Sequence, residues 1–326
     1  MKAVVLDGYA LNPGDLSWKE LEELVDLTVY DRTAPEAVLT RIGDAEIILT
    51  NKTLITEEVI NNASNLKYIG VLATGYNVVD IEAARRKNIP VTNVPQYSTN
   101  AVAQLVFALI LEICHNVGYH SSAVKKGRWS NSKDFCFWDY PLMELTDKTI
   151  GIIGYGSIGK RVAEIAQAFG MNVLVYNRSQ KEKVIGKQVG LDELFATSDI
   201  ITLHVPLTTD TKNLINKDTI NKMKDGVIIL NTARGPIINE QDLCDALNSG
   251  KVYAAGVDVS CTEPINSDSP LLRAKNIFIT PHIGWAPFEA RKRLMKIVVE
   301  NIRSFLNNCP INVVNGVVLD ESINRH

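Results

Sequence analysis

Residues 150–159 read IGIIGYGSIG, and the interpretation of this stretch decides the fold. Ile150 to Ile153 form an apolar run of strand length. It passes directly into Gly154-Tyr155-Gly156-Ser157-Ile158-Gly159 and then into a helical pattern over 157–169. A G-x-G-x-x-G in this strand–turn–helix setting marks a dinucleotide-binding turn. The first glycine permits the tight turn. The second lets peptide N–H groups approach a pyrophosphate, and the third lets the helix pack closely on the sheet. The helix N-terminus then directs its positive end at the phosphates. A purely structural glycine turn is the competing reading. A second strand, expected at 172–176, argues against it by ending where a ribose-binding residue belongs.

That second strand runs into Asn177-Arg178-Ser179. NAD sites usually carry Asp or Glu at this point, because a carboxylate accepts both ribose hydroxyls and repels a 2′-phosphate. Here the repelling charge is missing and Arg178 offers a phosphate partner, so NADP should be tolerated. In the alternative, Asn177 holds the ribose of NAD through its amide and Arg178 is solvated. NAD and NADP both remain open.

Outward from the turn, the chain alternates between short apolar runs and helical patterns. On the N-terminal side, strands are expected at 3–6, 27–30, 47–49, 67–71 and 91–92, with helices at 18–25, 35–42, 56–62 and 80–87. One long helix is expected over about 98–126, with Thr99 or Asn100 as its cap. Residues 127–141, with Trp129, Phe135, Phe137, Trp138 and Tyr140, lack a period and read as a loop. On the C-terminal side, strands are expected at 149–153, 172–176, 200–204, 227–231, 253–258 and 276–280. Helices are expected at 157–169 and 240–248, and a last one at about 287–306. Strands alternating with helices imply α/β architecture with parallel sheets covered on both faces. A length of 326 residues fits two such domains.

Ligands of open parallel sheets bind at the carboxyl ends of the strands. Just past three of the later strands stand Arg234 (in Asn231-Thr232-Ala233-Arg234-Gly235), Glu263 (before Pro264) and His282 (in Pro281-His282-Ile283-Gly284). Carbonyl reduction by a nicotinamide needs such a set. Charge grows on the carbonyl oxygen as hydride arrives, and a histidine can meet it with a proton because its side chain titrates near neutrality. A neighbouring carboxylate would orient the ring and favour its charged form. An arginine can hold a substrate carboxylate through paired hydrogen bonds. Taken singly, each residue is as readily a satisfied loop residue. Behind a dinucleotide turn, the three together read as one catalytic group.

Bulk properties restrict the alternatives. Hydrophobic residues make up 46% of the chain, which suits a sizeable core. A formal net charge of −3, without a basic run, argues against a nucleic-acid partner. The N-terminal apolar run meets Asp7 at once and reads as a strand, not a signal peptide. The most apolar later stretch, 101–114, is interrupted by Gln104 and Glu112, so no membrane association is expected. The five cysteines, Cys114, Cys136, Cys244, Cys261 and Cys309, are odd in number and form no C-x-x-C pair. They read as reduced thiols of a cytoplasmic protein. Cys261 lies near Glu263 without a role of its own, and no metal site is expected.

With these residues in place, the chain resembles the D-isomer-specific 2-hydroxyacid dehydrogenase family over essentially its whole length. The likeness rests on the glycine turn, on 223–235 with its Asn-Thr-Ala-Arg-Gly end, on Asp258, on Glu263-Pro264, and on Pro281-His282-Ile283-Gly284. The resemblance implies two doubly wound domains. A Rossmann-type cofactor domain, 99–287, is inserted in a flavodoxin-like substrate domain, 1–98 plus 288–326, with a cleft between them. It assigns Arg234, Glu263 and His282 as the catalytic trio. It assigns Asp258 to the nicotinamide carboxamide, and Thr232, Ala233, Arg234, His282 and Gly284 to the cofactor-binding residues. His204-Val205-Pro206 and Thr211 fall on the adenosine side. The turn Ala73-Thr74-Gly75 becomes the loop whose peptide N–H groups bind the substrate carboxylate, and Lys52 is added as a residue facing the substrate. Within the family the chain is most similar to glycerate dehydrogenases, also called hydroxypyruvate reductases, through 134–138 and Ala103-Gln104. The expected reaction reduces a small 2-keto acid, hydroxypyruvate or glyoxylate, to its D-2-hydroxy acid. A homodimer through the long helix and the following loop is also implied, with Trp138 reaching the neighbour's site or simply lying in the interface.

Other members stay in view. Phosphoglycerate dehydrogenases often carry a regulatory C-terminal domain, for which no stretch follows His326. D-lactate dehydrogenases share the trio, and formate dehydrogenases place Gln where Glu263 stands. The family's dinucleotide-sensing corepressors form a different class, a binding protein that can retain the trio.

Overall fold

The computed structural model describes residues 1–319, so the expected C-terminal limit at 326 lies outside the described residues. The chain divides into two compact units: Met1–Ser98 with the chain from Ala286 onward, and Thr99–Trp285.

In the first unit, strand β1 (Lys2–Val5) is followed by α1 (Lys19–Glu22), β2 (Asp26–Val29), α2 (Val38–Ile42), β3 (Ile47–Thr50), α3 (Glu57–Asn62), β4 (Tyr68–Val71), α4 (Ile81–Arg86) and β5 (Val91–Thr92). The strands pair in parallel in the order β2-β1-β3-β4-β5, which is the flavodoxin-like arrangement. Every residue of β3 and β4 is buried, as expected of strands covered on both faces. Helix starts follow local chemistry: the Thr56 side chain accepts from Val59 N–H, and Asp80 from Ala83 N–H.

The second unit begins with α5 (Thr99–His115) and α6 (Val117–Lys125). The single helix expected over 98–126 is therefore two, bent by 54°. The break falls at Asn116, which sits in the left-handed region at φ 48°. Asparagine tolerates that region better than most residues. No single helix among the described residues is long and apolar enough to cross a membrane; α5 and α6 pass that test only as a bent pair. After the irregular stretch 127–141 come β6 (Thr149–Ile153), α7 (Ser157–Ala168), β7 (Asn172–Tyr176), β8 (Lys187–Gln188), α8 (Leu191–Thr197), β9 (Ile200–Leu203), α9 (Lys217–Asn221), β10 (Val227–Asn231), α10 (Glu240–Ser249), β11 (Val252–Val257) and β12 (Ile277–Ile279). The seven strands are parallel in the order β12-β11-β10-β9-β6-β7-β8. The order reverses at β6, between β9 and β7, which is where a doubly wound sheet opens a crevice for a ligand. The carboxyl ends of β10, β11 and β12 are neighbours on one edge.

The chain returns to the first unit with α11 (Phe288–Leu306), capped by Pro287. Ala290, Leu294, Val298, Ile302 and Phe305 form its buried stripe, and Phe305 packs against Tyr68 with ring centroids 4.6 Å apart. The buried Arg291 is held by both Asp15 oxygens, at 2.7 and 2.6 Å, and by the carbonyls of Leu11 and Ala286.

Candidate active site

The glycine turn is built by close approaches that only glycine permits. Gly154 has φ +99°, and a Cβ there would lie 2.5 Å from the His204 carbonyl oxygen. A Cβ on Gly159 would lie 2.0 Å from the Gly154 oxygen, so the first turn of α7 sits directly on the loop. Around Gly156, by contrast, a Cβ would meet nothing within 4 Å. The peptide N–H groups of Gly156, Ser157 and Ile158, at the start of α7, have no protein acceptor among the described residues. Open space faced by such donors at a helix N-terminus fits a pyrophosphate. Further along the same sheet edge, Thr232 Oγ1 is buried without a hydrogen-bond partner among the described residues. An orphaned buried hydroxyl is what a ligand's polar group would satisfy. The residues present thus fit a dinucleotide. Tyr155 serves differently: its ring is buried and its hydroxyl accepts from Ile185 N–H at 2.8 Å, so only its backbone belongs to the turn.

At the ribose position, the Asn177 amide is engaged within the protein. Its Oδ1 accepts from Tyr155 N–H at 3.2 Å, and its Nδ2 donates to the Ser179 carbonyl and hydroxyl at 3.0 and 3.1 Å. Asn177 therefore ties the end of β7 to the glycine turn. Arg178 is exposed and joins no ion pair among the described residues. Across the crevice, the Thr211 hydroxyl closes its own loop on the Pro206 carbonyl at 2.6 Å. His204 faces Thr202 Oγ1 at 2.9 Å, and loss of water around the ring pushes its pKa down to about 3. This imidazole stays neutral at working pH.

The three strand ends that carry Arg234, Glu263 and His282 are drawn together by a second set of contacts. After β10, the Asn231 side chain accepts from Ala233 N–H at 3.0 Å and donates to the Arg234 carbonyl at 2.9 Å, fixing the turn. A Cβ on Gly235 would lie 2.0 Å from the Ser260 carbonyl carbon, so the Arg234 turn rests on the backbone after β11 only because residue 235 is glycine. From the start of α10, Glu240 accepts from Cys261 N–H at 2.6 Å and from Ser269 Oγ at 3.2 Å, anchoring the loop past β11 that carries Glu263. After β12, Asp258 accepts from Thr280 Oγ1 at 2.6 Å and from Ile283 and Gly284 N–H, each at 2.8 Å. His282 stands inside this brace at φ +54°, an unusual backbone for a non-glycine residue and one that clusters at functional sites.

The result is a defined pair. His282 Nδ1 lies 2.7 Å from Glu263 Oε2, while Glu263 Oε1 accepts from Ser260 N–H at 3.3 Å. A carboxylate only accepts, so Nδ1 carries the hydrogen and Nε2 is left for another partner. The Arg234 guanidinium donates from one nitrogen to the Ala233 carbonyl at 2.7 Å and keeps further N–H donors for a ligand. Burial and the nearby Glu240 push Cys261 up to about 12, so it remains a thiol and is no nucleophile at neutral pH. No group of three His, Cys, Asp or Glu among the described residues could hold a metal ion.

In the first unit, residues 73–75 follow β4. The N–H groups of Ala73, Thr74 and Gly75 have no protein acceptor among the described residues. The loop is held from its other side: Thr74 Oγ1 donates to the Val94 carbonyl at 2.8 Å, and Asn93 Nδ2 to the Thr74 carbonyl at 2.7 Å. Three successive outward N–H groups on a braced loop form an anion-binding concavity. Lys52 is exposed just past β3, the strand beside β4.

Sequence reasoning missed Asn231, Gly235, Glu240 and Thr280 as supports. Asn231 was detectable, because an Asn whose amide accepts two residues on forms an Asx-turn. The others act across sequence distances that no local pattern records.

Comparison with known proteins follows the same outline. Residues 107–284 match the family described as D-isomer specific 2-hydroxyacid dehydrogenase, NAD binding domain. The hydroxypyruvate reductase of Blautia hydrogenotrophica is 58% identical over 321 residues, covering 97% of this chain and 100% of that protein. The glycerate dehydrogenase of Methylorubrum extorquens is 37% identical over 316 residues, covering 96% of this chain and 98% of that one. Among solved structures, an acyclic imino acid reductase (Bsp5) in complex with NADPH and D-Arg aligns with a TM-score of 0.85 at 34% identity, covering 96% of this chain and 100% of that one.

Proposed function

Because this chain belongs to the D-isomer specific 2-hydroxyacid dehydrogenase family, we propose that it reduces hydroxypyruvate to D-glycerate with a nicotinamide cofactor. The observation that carries this reading is the His282–Glu263 pair, 2.7 Å apart at adjacent strand ends beside the Arg234 turn. The choice of hydroxypyruvate over other 2-keto acids is supported by the 58% identical reductase. When bound, the cofactor supplies the hydride. His282 holds a proton on Nε2 for the substrate oxygen, and Glu263 orients the ring through Nδ1 and stabilises the imidazolium before transfer. Arg234 directs its remaining N–H donors at the carbonyl and the carboxylate. Residues 73–75, with Lys52, supply donors suited to a carboxylate within their own unit.

For the cofactor, Gly154–Gly159, Thr232, Ala233, Asp258, Gly284, 204–206 and Thr211 make up the binding set. The engaged Asn177 amide and the exposed Arg178 favour NADPH over NADH, since no carboxylate stands there to repel a 2′-phosphate. A homodimer is part of the same proposal. It is supported by the exposed Phe135 (89%), Trp138 (61%) and Leu142 (53%) beyond α6, and by a groove of about 540 Å³ lined by Leu111, Leu142, Met143 and Phe169. A cytoplasmic location is supported by the free cysteines. Steady-state rates with hydroxypyruvate, glyoxylate and pyruvate, each with NADH and NADPH, test the reading. The highest kcat/KM is expected for hydroxypyruvate with NADPH; a clear preference for pyruvate would overturn the substrate assignment.

A further inference from the structure

Glu240 opens α10 directly after its cap Asn239, and its carboxylate reaches the chain past β11. Oε1 accepts from Cys261 N–H at 2.6 Å, and Oε2 from the Ser269 hydroxyl at 3.2 Å. From the end of β11 at Val257 to the short 3₁₀ turn Pro270–Arg273, the chain forms neither helix nor strand. Cys261 and Ser269 stand towards the two ends of this stretch, and Glu263 lies between them. One carboxylate therefore closes the loop that carries Glu263. All of these residues belong to the second unit.

The bonds within the loop connect that closure to the histidine. Ser260 N–H donates to Glu263 Oε1 at 3.3 Å, and the Ser260 hydroxyl donates to the Thr262 carbonyl. The next N–H, that of Cys261, goes to Glu240 instead. Two consecutive peptide groups are thus divided between two glutamates, and a single peptide link separates the Glu263 anchor from the Glu240 anchor. From Glu263, Oε2 continues to His282 Nδ1 at 2.7 Å. Hydrogen bonds to a charged acceptor are the stronger kind, and a loop without a ladder of its own takes its position from them. A purely structural account is also available for a glutamate at this place, because a negative charge in the first turn of a helix stabilises it.

We propose that Glu240 is a positioning residue for the acid–base pair: by pinning Cys261 and Ser269 it sets Glu263 where its carboxylate can hold His282 Nδ1–H. This rests on the reading of hydroxypyruvate reduction given above. Both Glu240 oxygens are engaged by the loop, and the residue acts through Glu263.

The test compares Glu240→Ala and Glu240→Gln, each alone and combined with Glu263→Gln. Single-turnover rates of NADPH oxidation with hydroxypyruvate are measured beside NADPH affinity by fluorescence titration. The alanine removes both contacts. The glutamine keeps an oxygen for Cys261 N–H, and its NH2 can donate to Ser269 Oγ, since a hydroxyl accepts as well as donates. Because Glu240 acts through the pair, Glu240→Ala should lose no more than the pair contributes, about two- to fivefold in rate, with NADPH affinity unchanged. Glu240→Gln should recover to within about 1.5-fold of the parent, although it lacks the charge that a helix-start role requires. On top of Glu263→Gln, Glu240→Ala should change the rate by less than about 1.5-fold. Should the alanine variant not fold, Glu240→Asp replaces it: one methylene shorter, it is too short to hold both partners at their present distances, and its rate should lie below that of Glu240→Gln. A parental rate in Glu240→Ala, or in the aspartate variant that replaces it, overturns the proposal. So do a glutamine variant as slow as the alanine, losses that multiply in the double variant, and an NADPH affinity that falls with the rate. Each of these leaves the functional reading standing. A parent enzyme without hydroxypyruvate turnover overturns that reading and this proposal with it.

Discussion

Replacing Glu263 by Gln removes one charge and almost no volume, so it isolates the electrostatic part of the His282 pair. The carboxylate accepts from His282 Nδ1–H at 2.7 Å and from Ser260 N–H at 3.3 Å. An amide cannot serve both. With its oxygen toward His282, its NH2 confronts the Ser260 N–H. Turned the other way, it donates to Nδ1 and forces the hydrogen onto Nε2, the opposite tautomer. Hydrogen bonds to a charged group contribute about 1.5–3 kcal/mol, against about 1 kcal/mol for a neutral pair. The two side chains are 25% and 35% exposed, so water screens the pair and the lower part of that range applies. A difference of about 0.5–1 kcal/mol corresponds to a loss of about two- to fivefold in kcat/KM. The assay follows NADPH absorbance with hydroxypyruvate, alongside dinucleotide affinity by fluorescence titration. A loss smaller than twofold, or a dinucleotide affinity that falls as far as kcat/KM, would refute the orienting role.

Three further outcomes are expected. Arg178→Ala should weaken NADPH by about tenfold and NADH hardly at all, the cost of one charge-assisted phosphate contact; equal changes in the two Kd values would remove Arg178 from 2′-phosphate recognition. Gly235→Ala puts a Cβ 2.0 Å from the Ser260 backbone, which cannot swing aside. Overpacking costs roughly 1–3 kcal/mol, so Tm should drop by about 2–12 °C in a calorimetric scan, and an unchanged Tm would contradict the close approach. Arg291 beside Asp15 holds its carboxyl below the usual carboxylate range. A depressed folded-state pKa adds stability that is complete above the unfolded value of about 4 and fades as pH falls through the folded value. Asp15→Asn should therefore be less stable than the parent at neutral pH, with the gap closing below about pH 4. A constant gap in Tm from pH 3 to pH 7 would show that the ion pair is not its source.

The sequence was most informative where the physical signal is local. The strand–glycine–helix turn at 150–159 announced itself because three glycines, two of them sterically required at 154 and 159, fall within six positions. Fully buried strands such as β3 and β10 were visible as continuous apolar runs between turns. The break at Asn116 was not, because neither proline nor glycine stands at the junction of α5 and α6 and the turn is made by one asparagine in the left-handed region. Helices between the later strands were expected, but the short α8 and α9 could not be given bounds, because each has too few residues to display a period. Arg234, Glu263 and His282 could be picked as strand-end polar residues. The supports beneath them could not, since Gly235 matters only because Ser260 lies against it and Glu240 only because Cys261 N–H does.

Asp258 shows how one buried carboxylate can serve two ends. It is 2% exposed, and its oxygens take Thr280 Oγ1 and the N–H groups of Ile283 and Gly284. Those donors flank His282, whose left-handed backbone has no helix or strand to hold it and would otherwise relax toward a commoner conformation. A strained φ persists only where its surroundings over-determine it, and the brace on 280–284 does that. A carboxylate offers about four acceptor positions, of which the brace uses three, so one remains for a further donor. Gly284 keeps the geometry open, because a Cβ there would lie 3.0 Å from Asp258 Oδ2. In the proposed cofactor role of Asp258, dinucleotide contact and the placement of His282 are coupled through one side chain: a pull on Asp258 is also a pull on the backbone that carries His282.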